Sequence, residues 1–155
     1  MLREARVADI PVLFVIRTSV RENHMDIAAL AARGITPESV EANMASGDLG
    51  CWLAEDAGQE IGFSMADRRD SQIFALFVLP EHEGKGVGTS LLTRATDWLE
   101  YQGKREAWLT TGLGTRADRF YVARGWTAAG FGEPGERMYR LSLARLAGSR
   151  ALPSG

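Results

Sequence analysis

The chain has 155 residues, of which 45% are hydrophobic and 25% charged, with a formal net charge of −2. That length and balance suit one domain with its own core, and the slight acidity argues against a broad nucleic-acid surface, which needs a basic excess. Cys51 is the only cysteine, no apolar run approaches a membrane span, and "MLREARVADI" lacks the apolar stretch of a signal peptide; the expected setting is therefore cytoplasmic, with no internal disulfide and no membrane partner.

In chain order, Leu2 to Arg6 reads as a short strand. Asp9 is placed to cap the helix in "DIPVLFVIRTSVREN", where Ile10, Leu13, Phe14, Arg17 and Val20 share a face. "TPESVEANMAS" starts another helix, with Thr36 as cap and Pro37 at its first position. "GCWLAED" and "QEIGFSMADRRD" read as strands joined by a turn at Ala57–Gly58, and "SQIFALFVLP" as an apolar strand that Pro80 ends. A glycine-rich stretch follows, then a helix on which Val87, Leu91, Ala95, Trp98 and Gln102 recur and which Gly103 closes. "REAWLTT" is a strand, "TRADRFYVARG" a short helix, and "GWTAAGF" with "ERMYRLSL" a terminal antiparallel pair. The order predicts an α/β (α+β) fold: a mixed, mostly antiparallel central sheet of about six or seven strands with helices on both faces. One domain is expected over 1–146, with a flexible tail over 147–155.

The stretch "PEHEGKGVGTSLL" carries the chemistry. Strand, glycine loop and helix form an anion-binding arrangement, because the first helical amides lack internal partners and glycine lets backbone approach phosphate oxygens. A P-loop is excluded, since Gly86 follows Lys85 where a hydroxyl residue is needed. The dinucleotide fingerprint also fails: counted from Gly84, Thr89 takes the place of its last glycine.

The segment Glu83-Gly84-Lys85-Gly86-Val87-Gly88 resembles the cofactor motif of the Gcn5-related N-acetyltransferase (GNAT) family, with Glu83 where that motif carries glutamine or arginine. "TRADRFYVARGW", with Ala117, Phe120, Tyr121, Gly125 and Trp126, resembles the family's second motif. The asparagine that many members carry just ahead of that alanine is absent, and Thr115 is left to cap the helix. The resemblance implies a GNAT fold and transfer of an acetyl group from acetyl-CoA to a primary amine by direct attack in a ternary complex, without metal. It implies that Glu83, Gly84, Lys85, Gly86, Val87, Gly88 and Thr89 wrap the CoA pyrophosphate, that Phe77 and Val78 pair with the pantetheine arm, and that Phe120 adjoins the cofactor. It makes Tyr121 the general acid for the leaving thiolate, and it implies a homodimer paired through late strands or helices.

The acceptor side is less defined. Glu22 and His24, at the end of the first helix, are the candidates for substrate binding, and Asp67 and Asp70 are further carboxylates near a strand end. A small-molecule amine is favoured over a basic protein tail, which calls for an acidic groove. A second reading stays open: a non-catalytic module that binds CoA or acyl-CoA for regulation or sensing.

Overall fold

The computed structural model describes residues 1–20 and 25–143. Glu22, His24 and the expected tail at 147–155 lie outside the described residues. Seven strands form one sheet in the order β1-β2-β3-β4-β5-β7-β6. They are β1 (Leu2–Glu4), β2 (Leu49–Asp56), β3 (Gln59–Asp67), β4 (Gln72–Val78), β5 (Glu106–Gly112), β6 (Thr127–Phe131) and β7 (Glu136–Ser142). Every neighbouring pair is antiparallel except β4 and β5. The helices are α1 (Ile10–Ser19), α2 (Ile27–Ala32), α3 (Pro37–Ala45), α4 (Val87–Tyr101) and α5 (Arg116–Ala123). Among the described residues no helix is long and apolar enough to cross a membrane.

Strand alternation divides the core in two. Leu49, Cys51 and Leu53 of β2, with Phe63 and Met65 of β3, pack with Leu13, Phe14 and Ile16 of α1 and Val40 of α3. Trp52 and Ala54 point the other way, onto Leu91, Leu92, Ala95 and Leu99 of α4. The side chain of Ser64, fully buried, donates to the Leu91 carbonyl at 3.0 Å and ties β3 to α4. The expected helices on both faces are therefore present.

Local signals set most boundaries. Thr36 and Ser39 form a reciprocal capping box at the start of α3. Ala57 and Gly58 both take positive φ (52° and 81°), the geometry of a tight hairpin between β2 and β3. At the end of α4, Lys104 N–H reaches the Leu99 carbonyl (3.0 Å) around the left-handed Gly103. Thr115 caps α5 by accepting from the Asp118 amide at 3.1 Å.

Asp9 departs from its expected role. It holds the N-cap position of α1 but makes no side-chain cap bond there. Its carboxylate is already engaged, by both terminal nitrogens of Arg3 (2.8 and 3.0 Å) and by the Arg6 amide (2.7 Å). This closes a 3-10 turn over Val7–Asp9 and stops β1 at Glu4, short of the expected Arg6. The Arg3 guanidinium holds the Asp9 carboxyl down, at about 2. A depressed carboxyl contributes stability that is complete above the ordinary carboxylate pKa of about 4 and is lost as the pH falls from there toward 2. Asp9→Asn should therefore lower stability by about 1 kcal/mol, roughly 2–4 °C in Tm, at pH 7. The same comparison by thermal unfolding at pH 3 should show a smaller gap, and an equal gap at both pH values would remove the carboxylate from this role.

Candidate active site

The sheet forks at β4 and β5. These parallel strands pair at one position, Gln72 with Trp108. The Trp108 amide donates to the Ser71 carbonyl (3.1 Å), and its indole Nε1 to the Asp70 carbonyl (2.8 Å), which fixes the closed end. Two residues further along β4, pairing with β3 slips: Met65 faces Ala75, Ala66 faces Ile73, and Phe74 is left over as a bulge. A bulge bends its strand and sharpens the twist, and beyond this one β4 runs free of β5. The result is an open cleft of about 890 Å³. Leu76, Phe77 and Val78 form one wall, and Thr110 and Thr111 of β5 the other. The face of α5 covers it, and Val20, just past α1, reaches its rim.

Alternation decides which backbone groups of β4 look into the cleft. The Leu79 amide donates to the Ile61 carbonyl of β3 at 2.8 Å. The Phe77 carbonyl turns the same way, lying 2.8 Å from where a Cβ on Gly62 would stand. Phe77 therefore spends its backbone on β3, and the amides and carbonyls of Leu76 and Val78 face the side that β5 has left.

The glycine loop closes one end of the cleft. A 3-10 turn over Pro80–His82 leads into Gly84 (φ 80°) and Gly86 (φ 84°), a left-handed backbone that side chains resist. Gly86 is the N-cap of α4 and offers no side-chain cap, so the first amides of that helix stay available. On Gly88 a Cβ would lie 3.5 Å from the Phe120 ring, so α5 rests directly on the first turn of α4. Arg124 secures that contact: its Nε donates to Thr89 Oγ1 at 2.8 Å, and its guanidinium stacks 3.8 Å over the Phe120 ring. Arg116, Arg119 and Arg124 all line the cleft, and Arg116 meets Glu83 at 3.8 Å in an exposed pair. Free helix amides and three arginines make this end anion-receptive.

Tyr121 lies deeper. It is 6% exposed and borders the cleft. Phe120, Trp126 and Tyr139 surround its ring at centroid distances of 5.2, 5.7 and 6.2 Å. Its hydroxyl takes no hydrogen-bond partner among the described residues, whereas the Tyr139 hydroxyl is held by Asp118. Burial pushes the Tyr121 phenol well above its ordinary pKa, so it stays protonated at neutral pH.

Phe77, Val78, Glu83, Gly84, Gly86, Gly88, Thr89, Phe120 and Tyr121 thus come together around one cleft. Lys85 and Val87 do not border it; Val87 packs into the core beneath α4. Asp67 is bound by Arg69 (2.8 and 3.0 Å), and Asp70 sits at the closed end of the fork, so neither borders the cleft. Leu76, Thr110, Thr111 and Arg124 are cleft residues that sequence reasoning passed over. Only Arg124 carried a signal there, standing one helical turn after Phe120. No group of three or more His, Cys, Asp or Glu that could hold a metal occurs among the described residues.

The fold and this cleft define an acyltransferase architecture, and comparison with known proteins agrees. A family model described as "Acetyltransferase (GNAT) domain" matches residues 47–128, more than half of the chain. The chain belongs to the GNAT acetyltransferase family. An uncharacterised N-acetyltransferase of Mycobacterium tuberculosis is 30% identical, covering 75% of this chain and 87% of its own. One of Archaeoglobus fulgidus is 32% identical over 48% of this chain, and the aligned part spans only 58% of that relative. Among solved structures, the PaiA N-acetyltransferase of Thermoplasma acidophilum in complex with coenzyme A superposes with a TM-score of 0.75 at 16% identity, covering 92% of this chain and 98% of that one. YncA of Salmonella typhimurium, with acetyl-CoA, superposes at 0.70 with 22% identity, covering 92% and 93%.

Cys51 bears on how an acyl group can move. It is 5% exposed on the α1 side of the sheet, and burial pushes its thiol up to about 12. A thiol so held is a poor nucleophile. Iodoacetamide should leave Cys51 unmodified in the native protein and label it only after denaturation, as read by intact mass; rapid native labelling would contradict the burial.

Proposed function

We propose that the protein is an N-acetyltransferase that takes acetyl-CoA and a primary amine into the forked cleft. The observation that carries the reading is the free edge of β4, with a glycine-lined helix start at one end and a buried phenol beside it. The residues fit CoA: positive φ at Gly84 and Gly86 leaves room where a Cβ would intrude on a phosphate. Acetyl-CoA, when bound, supplies an acetyl group already activated as a thioester.

The roles follow from position. The loop from Glu83 to Thr89 offers backbone amides to the pyrophosphate, supported by the dipole of α4. Arg116, Arg119 and Arg124 add charge around it. Leu76 and Val78 present a strand edge to which an extended amide chain can add, and an amide on that edge would donate to an oxyanion. Tyr121 holds a proton and gives it to the departing sulfur. Its raised pKa does not disqualify it, because the same dry surroundings raise the proton affinity of a thiolate held beside it. Cys51, buried and protonated, is no acyl carrier, which favours direct transfer to the amine.

Among the described cleft residues Glu83 is the one carboxylate, and it stands at the phosphate end. The amine must therefore arrive neutral or lose its proton to water. Turnover should rise with pH toward the amine's own pKa, with no alkaline fall from Tyr121 below about pH 10.

The deciding experiment combines a panel of primary amines with acetyl-CoA and a CoA thermal shift. Turnover on an amine, lowered about 10²-fold or more in Tyr121→Phe with CoA binding kept, is the expected result. Unchanged turnover in Tyr121→Phe removes the acid role. CoA binding without turnover on any amine identifies a regulatory CoA-binding module instead.

The loop can be tested by CoA titration alone. Gly86→Ala should weaken CoA binding by about tenfold or more, because the left-handed turn is strained by a Cβ. Glu83→Gln should change it by less than about tenfold, since the exposed carboxylate turns to Arg116. A larger effect at Glu83 would mean that its side chain meets the phosphates.

A further inference from the structure

The arginines of α5 account for anions at the loop end of the cleft. Arg17 lies on the other side of β4, on α1, one turn before Val20, which reaches the cleft rim. Its guanidinium carbon sits 4.3 Å over the centroid of the Phe77 ring, and Phe77 belongs to the cleft wall. Its Nη1 is buried and has no hydrogen-bond partner among the described residues. No carboxylate among the described residues pairs with it; the charge that acts on it is the like charge of Arg33, which itself pairs with Glu133 at 3.5 Å.

A guanidinium that is partly shut off from water and lacks an acceptor is costly. The Phe77 face offsets a fraction of that cost through cation–π attraction, and it also fixes the plane of the head. What Nη1 lacks is an acceptor, and for a planar head stacked on a ring a carboxylate supplies one in the plane of the fork. The arginines of α5 are too far round the cleft to share this ligand, since Arg17 packs on the α1 side of the sheet and they stand on the α4 side.

On the reading of the cleft as an acetyltransferase site, we infer that Arg17 is the acceptor's anchor and that the acceptor is a small amine that also carries a carboxylate, of the amino-acid class. The carboxylate pairs with Arg17 over Phe77, and the amine extends past that ring to the free edge of β4. Arg17 is a binding and specificity residue: it holds the acceptor and moves no proton.

The test uses the full chain with acetyl-CoA and matched triplets: leucine, leucinamide and 3-methylbutylamine, and the same series built on alanine, phenylalanine and glutamine. The carboxylate member of at least one triplet should have a KM about tenfold or more below its amide and decarboxylated partners. Arg17→Ala should raise that KM by about tenfold or more while kcat stays within about threefold and the KM for acetyl-CoA is unchanged; Arg17→Lys should recover part of the loss. Equal use of all members by the wild type, or a loss in Arg17→Ala that falls equally on all, overturns the inference. Calorimetric titration of the same amino acids into CoA-loaded protein separates this from the activity itself. Saturable binding that Arg17→Ala abolishes, without turnover, supports the anchor and overturns the transferase reading. Turnover confined to amines lacking a carboxylate, or no binding of any amino acid, overturns the anchor.

Discussion

The molecule depends on a single interstrand pairing. Gln72 and Trp108 join β4 to β5, and everything beyond them is separation. Without that pair the sheet is two sheets; with more of it the cleft closes. Trp108 holds it with a backbone and an indole donor to consecutive carbonyls, Ser71 and Asp70. The leftover Phe74 then turns β4 aside, which leaves the polar backbone of Leu76 and Val78 at an open edge. An unpaired edge inside a domain is a liability unless something fills it, and this edge lies beside a helix start with uncapped amides.

The two core faces divide the labour. The α4 side supplies the loop, the arginines of α5 and the ring cage around Tyr121. The α1 side supplies Phe77, Arg17 and the rim at Val20. β4 lies between them and shows each side a different row of side chains, so one strand addresses two sets of ligand groups. The contact between α4 and α5 joins the loop end of the cleft to the ring cage. It includes one glycine under one phenyl ring and one arginine that both stacks on that ring and binds Thr89.

Much of this was legible in the residues. Periodicity and caps locate most elements, and two motifs carry the family resemblance. The strand order was not legible, because parallel pairing of β4 with β5 leaves no local mark. The bulge was hidden for the same reason: Phe74 fits an apolar strand, and only the register with β3 shows that it is surplus. Asp9 looked like a helix cap, since the sequence near it gave no sign that Arg3 would claim the carboxylate. Helix α2 went unread because its six residues are too short to show a period. That the free backbone edge belongs to Leu76 and Val78 follows from alternation once the register with β3 is known, and the apolar run alone does not carry that register. Arg17 falls on the buried face of α1 by spacing, but spacing does not show that no acid among the described residues pairs with it.

Gly62 gives this architecture an adjustable width. The Phe77 carbonyl and the Val78 Cα approach the place of its absent Cβ to 2.8 and 3.3 Å, with Leu91 also at 3.3 Å. Any side chain there meets backbone, which cannot rotate out of the way, so the strand itself must shift. Because β4 has no partner strand on its far side here, it is the wall that can yield. The calibre of the cleft is thus set from behind its wall, by a residue that no occupant touches.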